Sequence, residues 1–440
     1  MKKTKRLASA FICSTLIFMG CALEQPQSGK QDFLYTLTLG LKANDSREAL
    51  ETRYGGEVTV WSEGQYAVLG FHQLPSQDIL KLEHTAFEAN TESITSSQSN
   101  VVSTAGLATI WSGGLSTIWS GGLSTIWSGG LSTIWSGGLS TIWSGGTFQW
   151  MPQNNSIWQQ IRLEKGQKIA SNLGLGVKVA VIDTGVDLKH PGLSQALAPA
   201  AEWRDFVDGD AVPQEVGVLG VGAYGHGTSV AGIVRQIAPR ATILPLRVLD
   251  ANGKGTALRV VAAVAWAVQK GAKIINLSLG SEVDLRSLEV ALRAATAKGV
   301  YIVASVGNKA STVVTFPASR SINPLRLSVT SVDAMDAKSV FSNYGEAVEI
   351  AAPGELVHGP APDLRLAAWS GTSMATPVAA GALALALGQE LKVPARDLAD
   401  TLVNYSDDIY RNGLNSSFLH KVGRGRINLA KFLANAVVSK

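Results

Sequence analysis

The run Val179-Ala180-Val181-Ile182-Asp183-Thr184-Gly185 is an apolar stretch that ends in a carboxylate and a glycine. Similar apolar runs recur downstream, with stretches of helical character between them. Continuous apolar strands that alternate with helices are typical of a parallel sheet covered by helices on both faces. The sequence therefore predicts an α/β fold for residues 157–436. The predicted strands include Val177–Ile182, Thr242–Leu246, Lys273–Leu277 and Val300–Ala304, and the helices include Arg259–Gln269 and Asp284–Lys298.

Three short motifs in this segment carry side chains that are capable of acid–base or nucleophilic chemistry. Asp183 ends the first strand, His226 begins a predicted helix between two glycines, and Ser373 precedes the apolar helix Val378–Leu387. Ligand sites of such folds lie at the carboxyl ends of the strands. Taken singly, these residues have ordinary interpretations as a turn residue, a structural histidine and a helix cap. Together, in the order Asp, His, Ser, they predict nucleophilic catalysis.

The same motifs resemble the three active-site motifs of the subtilisin-like serine peptidases, and the resemblance covers most of residues 157–436. It implies a subtilisin-like fold and a serine endopeptidase that hydrolyses proteins or peptides and needs no cofactor for catalysis. Stretches between the motifs agree as well, namely Arg247–Asp250, Gly271–Gly280, Gly307-Asn308 and Gly423–Asn428.

By that resemblance, Ser373 Oγ attacks the scissile carbonyl, and His226 takes its proton and passes it to the leaving amine. Asp183 fixes the tautomer of His226 and stabilises its charged form. Asn308 is expected to donate its side-chain amide to the oxyanion, with the backbone N–H of Ser373 as the second donor.

The resemblance also implies where a substrate binds. The stretch Ser278-Leu279-Gly280 is expected to pair with an extended substrate backbone, and Thr315 and Phe316 are candidates for the base of the adjoining pocket. One departure is Ser229, which stands where many family members carry a second histidine. Because that position is not one of the three catalytic ones, the predicted activity is unaffected.

An acidic loop supplies the candidates for a metal site. Carboxylate oxygens are ligands that Ca²⁺ prefers, and some members of the resembled family bind calcium elsewhere. Two interpretations are open, a structural calcium site and a solvated acidic loop. The candidate residues are Asp205, Asp208 and Asp210.

Other function classes fit less well. Gly220–Gly225 matches a dinucleotide-binding fingerprint, but it lacks a clear preceding strand and an acidic partner. A lipase-type hydrolase would need Gly-x-Ser-x-Gly and the order Ser, Asp, His, whereas here Ala375 replaces the last glycine and the serine comes last. The alternative that stays open is a catalytically silent scaffold that acts in binding or adhesion.

Residues 31–100 predict a small α+β domain with a ferredoxin-like order of elements. Before a subtilisin-like enzyme, such a domain resembles the propeptide that assists folding and inhibits the active site; the alternative is an unrelated accessory domain. Self-cleavage would then fall between roughly residues 85 and 157, where exposed chain is easily nicked. The predicted elements are the strand Leu34–Leu39, the helix Ser46–Tyr54 with Ser46 as N-cap, the strands Glu57–Trp61 and Gln65–Phe71, and a helix near Ser76–His84.

Residues 105–146 form a repeat in which Leu-Ser-Thr-Ile-Trp-Ser-Gly-Gly recurs every eight residues. An even period places every tryptophan on one face of an extended strand, and Gly-Gly pairs can also close hairpins. The segment is interpreted either as an adhesive, self-associating element or as a low-complexity linker. Its tryptophans are Trp111, Trp119, Trp127, Trp135 and Trp143.

The first twenty residues predict an export signal, because the basic start Met1–Arg6 precedes the short apolar run Leu7–Gly20. Cys21 follows Phe18-Met19-Gly20, which resembles a bacterial lipoprotein box. Cleavage before Cys21 would let this cysteine be lipidated and anchor the enzyme at the cell envelope as a lipoprotein; plain secretion is the alternative.

The charge of the chain argues against polyanionic partners. The sequence has 38 basic and 34 acidic residues, and four of the basic ones lie in the first twenty residues, which carry no acid. The remaining chain is therefore balanced, and we expect neither nucleic acid nor an anionic membrane surface as a partner.

Overall fold

The computed structural model of the chain describes residue 33 and residues 35–62, 65–72, 101–104 and 152–438, apart from residues 219, 220, 322, 364 and 412. It begins with a small antiparallel sheet whose strand order is β1-β3-β2, with one helix between the first two strands. These elements are β1 (Tyr35–Gly40), α1 (Arg47–Tyr54), β2 (Glu57–Ser62) and β3 (Tyr66–Phe71).

The local sequence explains both ends of α1. The Ser46 side chain accepts a hydrogen bond from Ala49 N at 3.2 Å, as an N-cap does. Gly55 ends the helix with φ 71°, a left-handed conformation that glycine adopts without a Cβ penalty. The predicted helix and the three predicted strands are confirmed here, and the predicted helix near Ser76–His84 lies outside the described residues.

The next described strand is β4 (Val101–Thr104). The larger part of the chain then contains a seven-stranded parallel sheet with the order β13-β12-β11-β9-β5-β7-β6. Its strands and the short strands beside them are β5 (Lys178–Asp183), β6 (Arg204–Asp205), β7 (Thr242–Arg247), β8 (Lys254–Thr256), β9 (Ile274–Leu277), β10 (Leu279–Gly280), β11 (Tyr301–Ser305), β12 (Arg326–Val332), β13 (Ile350–Pro353), β14 (Val357–Ala361) and β15 (Arg365–Trp369).

Helices cover both faces of this sheet, which confirms the predicted α/β fold. Successive side chains of β5 enter different cores: Val179 and Val181 pack with the helices of residues 226–237 and 372–387, whereas Ala180 and Ile182 pack with those of residues 257–269 and 286–297. The helices are α2 (Asn155–Gln160), α3 (Leu163–Ile169), α4 (His226–Ile237), α5 (Ala257–Gln269), α6 (Arg286–Ala297), α7 (Thr372–Leu387), α8 (Leu398–Asn404) and α9 (Leu429–Ala436).

The helix after the serine motif begins six residues earlier than the sequence predicted. Pro377 directly precedes the predicted start at Val378, and a proline cannot donate a helical hydrogen bond. The helix α7 nevertheless begins at Thr372 and contains Pro377. Ser373 is therefore the second residue of a helix, close to its N-terminal end.

The small N-terminal sheet packs on the larger domain. Val60, Tyr66 and Val68 belong to the same buried cluster as apolar residues of α5 and α6. Fully burying a side chain of this kind contributes about 1.5–3 kcal/mol, so the contact is a substantial one. The two parts of the chain therefore share a core on this face of the parallel sheet.

Residues 101–104, which the sequence left unassigned, form a strand between two strands of the larger domain. The strand β4 pairs antiparallel with β10 on one side, through Thr104 opposite Leu279 and Ser103 opposite Gly280. On the other side it pairs antiparallel with β8. The backbone of this segment thus lies against the stretch that the sequence predicted to pair with a substrate.

Candidate active site

Asp183 and His226 meet at one edge of the parallel sheet. Asp183 is the last residue of β5, and His226 is the first residue of α4. His226 Nδ1 lies 2.6 Å from Asp183 Oδ1, and both side chains are buried. With Nδ1–H donating to the carboxylate, Nε2 becomes the proton-accepting nitrogen of the ring.

Glycines make this close approach possible. A Cβ built on Gly227 would lie 2.1 Å from the carbonyl oxygen of Gly185 and 3.1 Å from Asp183 Cβ. Any side chain at residue 227 would therefore push α4 away from the end of β5. The glycine after His226 in the motif is required by packing at the Asp183–His226 pair.

His226 Nε2 is the second important atom of this pair. It is buried and has no hydrogen-bond partner among the residues that the structure describes. Buried polar atoms without a partner are uncommon and costly, and they call for an explanation. A proton acceptor kept for a reacting hydroxyl is one such explanation.

Ser373 is held by Ser278, which directly follows β9. The Ser373 hydroxyl donates to the Ser278 carbonyl at 3.1 Å, and the Ser278 hydroxyl donates to the Ser373 carbonyl at 2.8 Å. Asn276 Nδ2 donates in turn to Ser278 Oγ at 3.0 Å. These contacts fix the start of α7 against the end of β9.

The starts of α4 and α7 lie side by side. The Ser229 hydroxyl donates to Met374 Sδ at 3.6 Å, which links the residue after Ser373 to the first turn of α4. The rings of Trp369 and His226 meet edge to face at 6.1 Å between centroids. The structure therefore places the serine motif beside the histidine motif. It also shows that Ser229, which stands where many family members carry a second histidine, contacts Met374.

Asn308 lies beside the same helix start. Its Oδ1 accepts a hydrogen bond from Thr372 N at 2.9 Å, and Gly307 N donates to Thr372 Oγ1 at 3.3 Å. Because the oxygen end of the Asn308 amide is held by the backbone, its Nδ2 is the donor end that can serve a ligand. Asn308 thus contacts Thr372, the residue that directly precedes Ser373.

The predicted substrate strand pairs with β4 on one side and is supported on the other by the segment that contains Thr315 and Phe316. A Cβ on Gly280 would meet Thr315 Oγ1 at 2.6 Å. Ser281 and Phe316 exchange two backbone hydrogen bonds, of 2.9 and 2.8 Å. Thr315 and Phe316 therefore lie against Gly280 and Ser281, and their place at the base of a substrate pocket stays a prediction.

Comparisons with known proteins decide the family. The model of the subtilase family matches residues 174–425, which is more than half of the chain. The chain belongs to the subtilase family. It is 37% identical over 283 residues to thermitase of Thermoactinomyces vulgaris, covering 62% of this chain and 93% of thermitase. It is 37% identical over 221 residues to subtilisin BL of Lederbergia lenta, covering 48% of this chain and 76% of that protein.

A solved structure of a cold adapted subtilisin-like serine proteinase is also similar, at 31% identity and a TM-score of 0.49, covering 58% of this chain and 88% of that one. The family and the relatives confirm the predicted enzyme class: this subtilase is a subtilisin-like serine endopeptidase, and its substrates are proteins or peptides.

The acidic loop of this subtilase does not fit calcium. Arg247 donates to the carboxylates of Asp205 and Asp208, and Asp205 Oδ1 accepts the backbone N–H groups of Val207 and Asp208. Asp210 caps the N–H of Val212 at 2.8 Å. The guanidinium of Arg247 lies between the carboxylates of Asp205 and Asp208, where a calcium ion would have to bind. The described residues contain no group of three or more His, Cys, Asp or Glu side chains that could hold a metal ion.

Two features of the site escaped the sequence analysis. The first is β4, whose residues have no motif and gain their meaning only from their neighbours in space. The second is Glu215, a buried carboxylate beside the Asp183–His226 pair.

In the described part of the chain, no helix is long and apolar enough to cross a membrane.

Proposed function

We propose that Asp183, His226 and Ser373 form the catalytic triad of this endopeptidase and that Asn308 donates to the oxyanion. The observation that carries the proposal is the buried His226 ring, held by Asp183 at 2.6 Å and with Nε2 unpaired among the described residues. The start of α7, with Ser373 as its second residue, packs against the helix that carries this ring.

The hydroxyl of Ser373 first leaves the Ser278 carbonyl and turns to His226 Nε2. Its oxygen then attacks the scissile carbonyl while Nε2 takes the proton, and the tetrahedral intermediate forms. His226 gives the proton to the amine, which leaves as the peptide bond breaks, and the acyl-enzyme remains. Water then attacks the acyl carbon while His226 takes its proton, and the proton passes to Ser373 Oγ as the carboxylic acid product leaves. Asp183 holds the ring in the tautomer that these transfers require.

The negative oxygen of the intermediate forms next to the start of α7. The backbone N–H groups of the first turn of a helix have no intrahelical partners, and the helix dipole favours negative charge there. Asn308 Nδ2 and the N–H of Ser373 are the proposed donors. We borrow the loss expected on removing Asn308, about 10²–10³-fold in kcat, from subtilisin, in which the corresponding effect is known.

The substrate backbone is proposed to bind between β8 and β10, in the antiparallel pairing that β4 has in this chain. Strand addition of this kind supplies main-chain hydrogen bonds, and side-chain pockets add selectivity. Leu279 and Gly280 would pair with the substrate residues before the cut. Gly280 allows Thr315 to approach closely behind the strand.

The test compares the wild type with Ser373→Ala and with Ser416→Ala, a matched change at an exposed serine. The proposal expects casein hydrolysis and fluorophosphonate labelling in the wild type and Ser416→Ala, and neither in Ser373→Ala. Labelling or hydrolysis that survives Ser373→Ala would overturn the assignment of the nucleophile and bring forward the catalytically silent scaffold.

We further propose that the chain is made as a zymogen that processes itself. In support, the N-terminal sheet packs on α5 and α6, and β4 then leads the chain along the proposed substrate strands. Cleavage is proposed after Thr104 and before residue 152, within the wider interval that the sequence suggested. N-terminal sequencing of the shortened wild-type product should find a start in this interval, and a start at or before Thr104 would contradict it.

Export through residues 1–20 and anchoring through Cys21 also remain proposals. The experiment follows incorporation of a labelled fatty acid in the bacterial host, with Cys21→Ser as the control. Label in the wild type and none in Cys21→Ser supports the lipoprotein; an unlabelled protein in the medium supports plain secretion. Residues 105–146 lie outside the described residues, so the adhesive function of the repeat stays a prediction, which deletion of 105–146 and an attachment assay would test.

A further inference from the structure

Glu215 is a buried carboxylate with no assigned role, and it touches both sides of the Asp183–His226 pair. Its Oε1 accepts hydrogen bonds from the Thr184 hydroxyl and from Gly225 N, the latter at 2.8 Å. Its Oε2 accepts from the hydroxyl and from the backbone N–H of Thr228, the latter at 3.2 Å. One carboxylate thus joins the residue after Asp183 to residues on either side of His226.

The helix α4 depends on this contact because it lacks a cap of its own. Its N-cap residue is Gly225, which has no side chain that could accept from the first turn. A carboxylate at the start of a helix stabilises the N–H groups there and interacts favourably with the helix dipole. Glu215, which precedes Gly225 by ten residues, supplies the cap that Gly225 cannot provide.

The direction of each hydrogen bond is determined by its neighbours. Thr184 Oγ1 accepts from Gly227 N at 2.9 Å, so its own hydrogen is directed to Glu215. Thr228 Oγ1 accepts from Asp187 N at 2.8 Å, so its hydrogen also goes to Glu215. All four partners are therefore donors, and only a carboxylate, which accepts without donating, satisfies them all.

We propose that Glu215 is a positioning residue of the peptidase, which fixes the start of α4 against the end of β5 and so holds the His226 ring on Asp183. This inference rests on the triad proposed above, but the contacts themselves do not depend on catalysis. Misplacing a catalytic group by about 1 Å can cost about 10²-fold in rate, which is the scale of effect at stake.

The surroundings of Glu215 add a dependence on pH. Burial, and to a smaller extent the nearby charge of Asp183, raise the pKa of Glu215 to about 7, although hydrogen bonds from Thr184, Thr228 and Gly225 oppose that shift. A proton on Glu215 turns one acceptor into a donor that faces other donors. The other titratable or charged groups around it are Asp187, Tyr224 and His226, with Arg247 against the same Gly185 turn.

The test uses Glu215→Gln, which keeps the shape but turns an amide N–H₂ toward two of the donors. Glu349→Gln is the matched control, because Glu349 is a partly buried carboxylate whose pKa is also raised to about 7, mainly by burial, yet it binds Ser328 on β12. We expect Glu215→Gln to lower kcat about 10- to 100-fold with KM within about two-fold, and Glu349→Gln to leave both within about two-fold.

The pH profile and the His226 proton distinguish positioning from a merely structural role. The acid limb of kcat/KM should be steeper in the wild type than in Glu215→Gln, because only the wild type takes up the Glu215 proton. The downfield NMR resonance of His226 Nδ1–H, measured in the Ser373→Ala background, should broaden or shift in Glu215→Gln and stay in place in Glu349→Gln.

Should Glu215→Gln fail to fold, the pair Thr228→Ser and Thr228→Val takes its place, since serine keeps the hydroxyl donor and valine removes it. The valine variant alone should then shift the His226 resonance. Unchanged kcat, pH profile and resonance in Glu215→Gln, or in Thr228→Val where that pair is used, would overturn the inference. If wild type and Ser373→Ala hydrolyse casein alike, the triad fails, while the NMR comparison still decides the role of Glu215.

Discussion

Ser278 and Ser373 exchange two hydrogen bonds, because the hydroxyl of each residue donates to the backbone carbonyl of the other. The carbonyl of Ser373 lies four residues before Pro377, which has no N–H to donate to it in the helix. The Ser278 hydroxyl fills that place at 2.8 Å. A proline in α7 and a serine after β9 together fix the proposed nucleophile.

This relationship predicts coupling between Ser278 and Pro377. The change Ser278→Ala leaves the buried carbonyl of Ser373 and Asn276 Nδ2 without that hydroxyl, and it should lower the free energy of unfolding by about 1–3 kcal/mol. Pro377→Ala restores an N–H for the same carbonyl. The double variant should therefore lose less stability than the two single variants together, by about 1 kcal/mol.

Urea unfolding measures this cycle in the Ser373→Ala background, which prevents self-digestion and keeps the backbone carbonyl. Ser416→Ala, at an exposed serine, is the control and should change stability by less than about 0.5 kcal/mol. Effects of Ser278→Ala and Pro377→Ala that add within about 0.3 kcal/mol would mean that the two residues do not share the Ser373 carbonyl.

The ion pairs of Arg247 predict a large loss of stability when this side chain is removed. Asp205 is buried, and Arg247 Nη1 lies 2.7 Å from its Oδ2. In Arg247→Ala a buried carboxylate loses its counter-charge, which should cost about 3–5 kcal/mol. The exposed pair of Arg411 with Asp408 is the control, and Arg411→Ala should cost far less than Arg247→Ala, because solvent screens exposed ion pairs.

Calcium is the competing explanation for this loop. If Asp205, Asp208 and Asp210 held a cation, the melting temperature of the wild type would fall on chelation, and Arg247→Ala would gain stability from added calcium. Thermal unfolding with and without EDTA decides between them. We expect Arg247→Ala to unfold at a lower temperature than the wild type in both conditions, with no recovery on adding calcium.

The strands and the three motifs could be predicted from the sequence because each is local. Val179–Ile182 is apolar at every position, and Asp183 stands directly at its end. The true start of α7 could not be predicted from its own residues, because the Ser278 hydroxyl that compensates for Pro377 lies 95 residues from Ser373 in the sequence. Glu215 and β4 were missed for the same reason, since their partners are distant in sequence.

The partly buried carboxylate of Glu349 predicts a change of stability with pH. Burial is the main reason that its pKa rises from about 4.5 to about 7 in the folded chain. Between these values the folded state keeps a proton that the unfolded chain has lost, so the contribution of Glu349 falls as the pH rises through the window. Glu349→Gln lacks this titration. Its free energy of unfolding relative to that of the wild type should therefore rise by roughly 3 kcal/mol between pH 4.5 and pH 8.

The measurement is urea unfolding of both proteins at several pH values in the Ser373→Ala background. Only the difference between the two proteins is used, because other groups titrate in both. The difference should change mainly below pH 7 and level off above it. A difference that stays constant from pH 4.5 to 8 would show that Glu349 titrates alike in the folded and unfolded states.

The pairing of β4 predicts how the chain reaches its own active site. Ser103 lies opposite Gly280 on one side and Lys254 on the other, in the middle of a three-stranded ladder. Ser103→Pro removes a backbone N–H from a central strand, a place that proline does not tolerate. If pairing of β4 guides self-cleavage, Ser103→Pro should lower the rate at which the chain shortens about 10-fold, which corresponds to an activation free energy higher by about 1.4 kcal/mol.

The control Ser103→Ala keeps the N–H and should process within about two-fold of the wild type. Gel electrophoresis follows the shortening at protein concentrations low enough to exclude cleavage between molecules. Equal rates for the proline and alanine variants would mean that the chain enters the site without this strand.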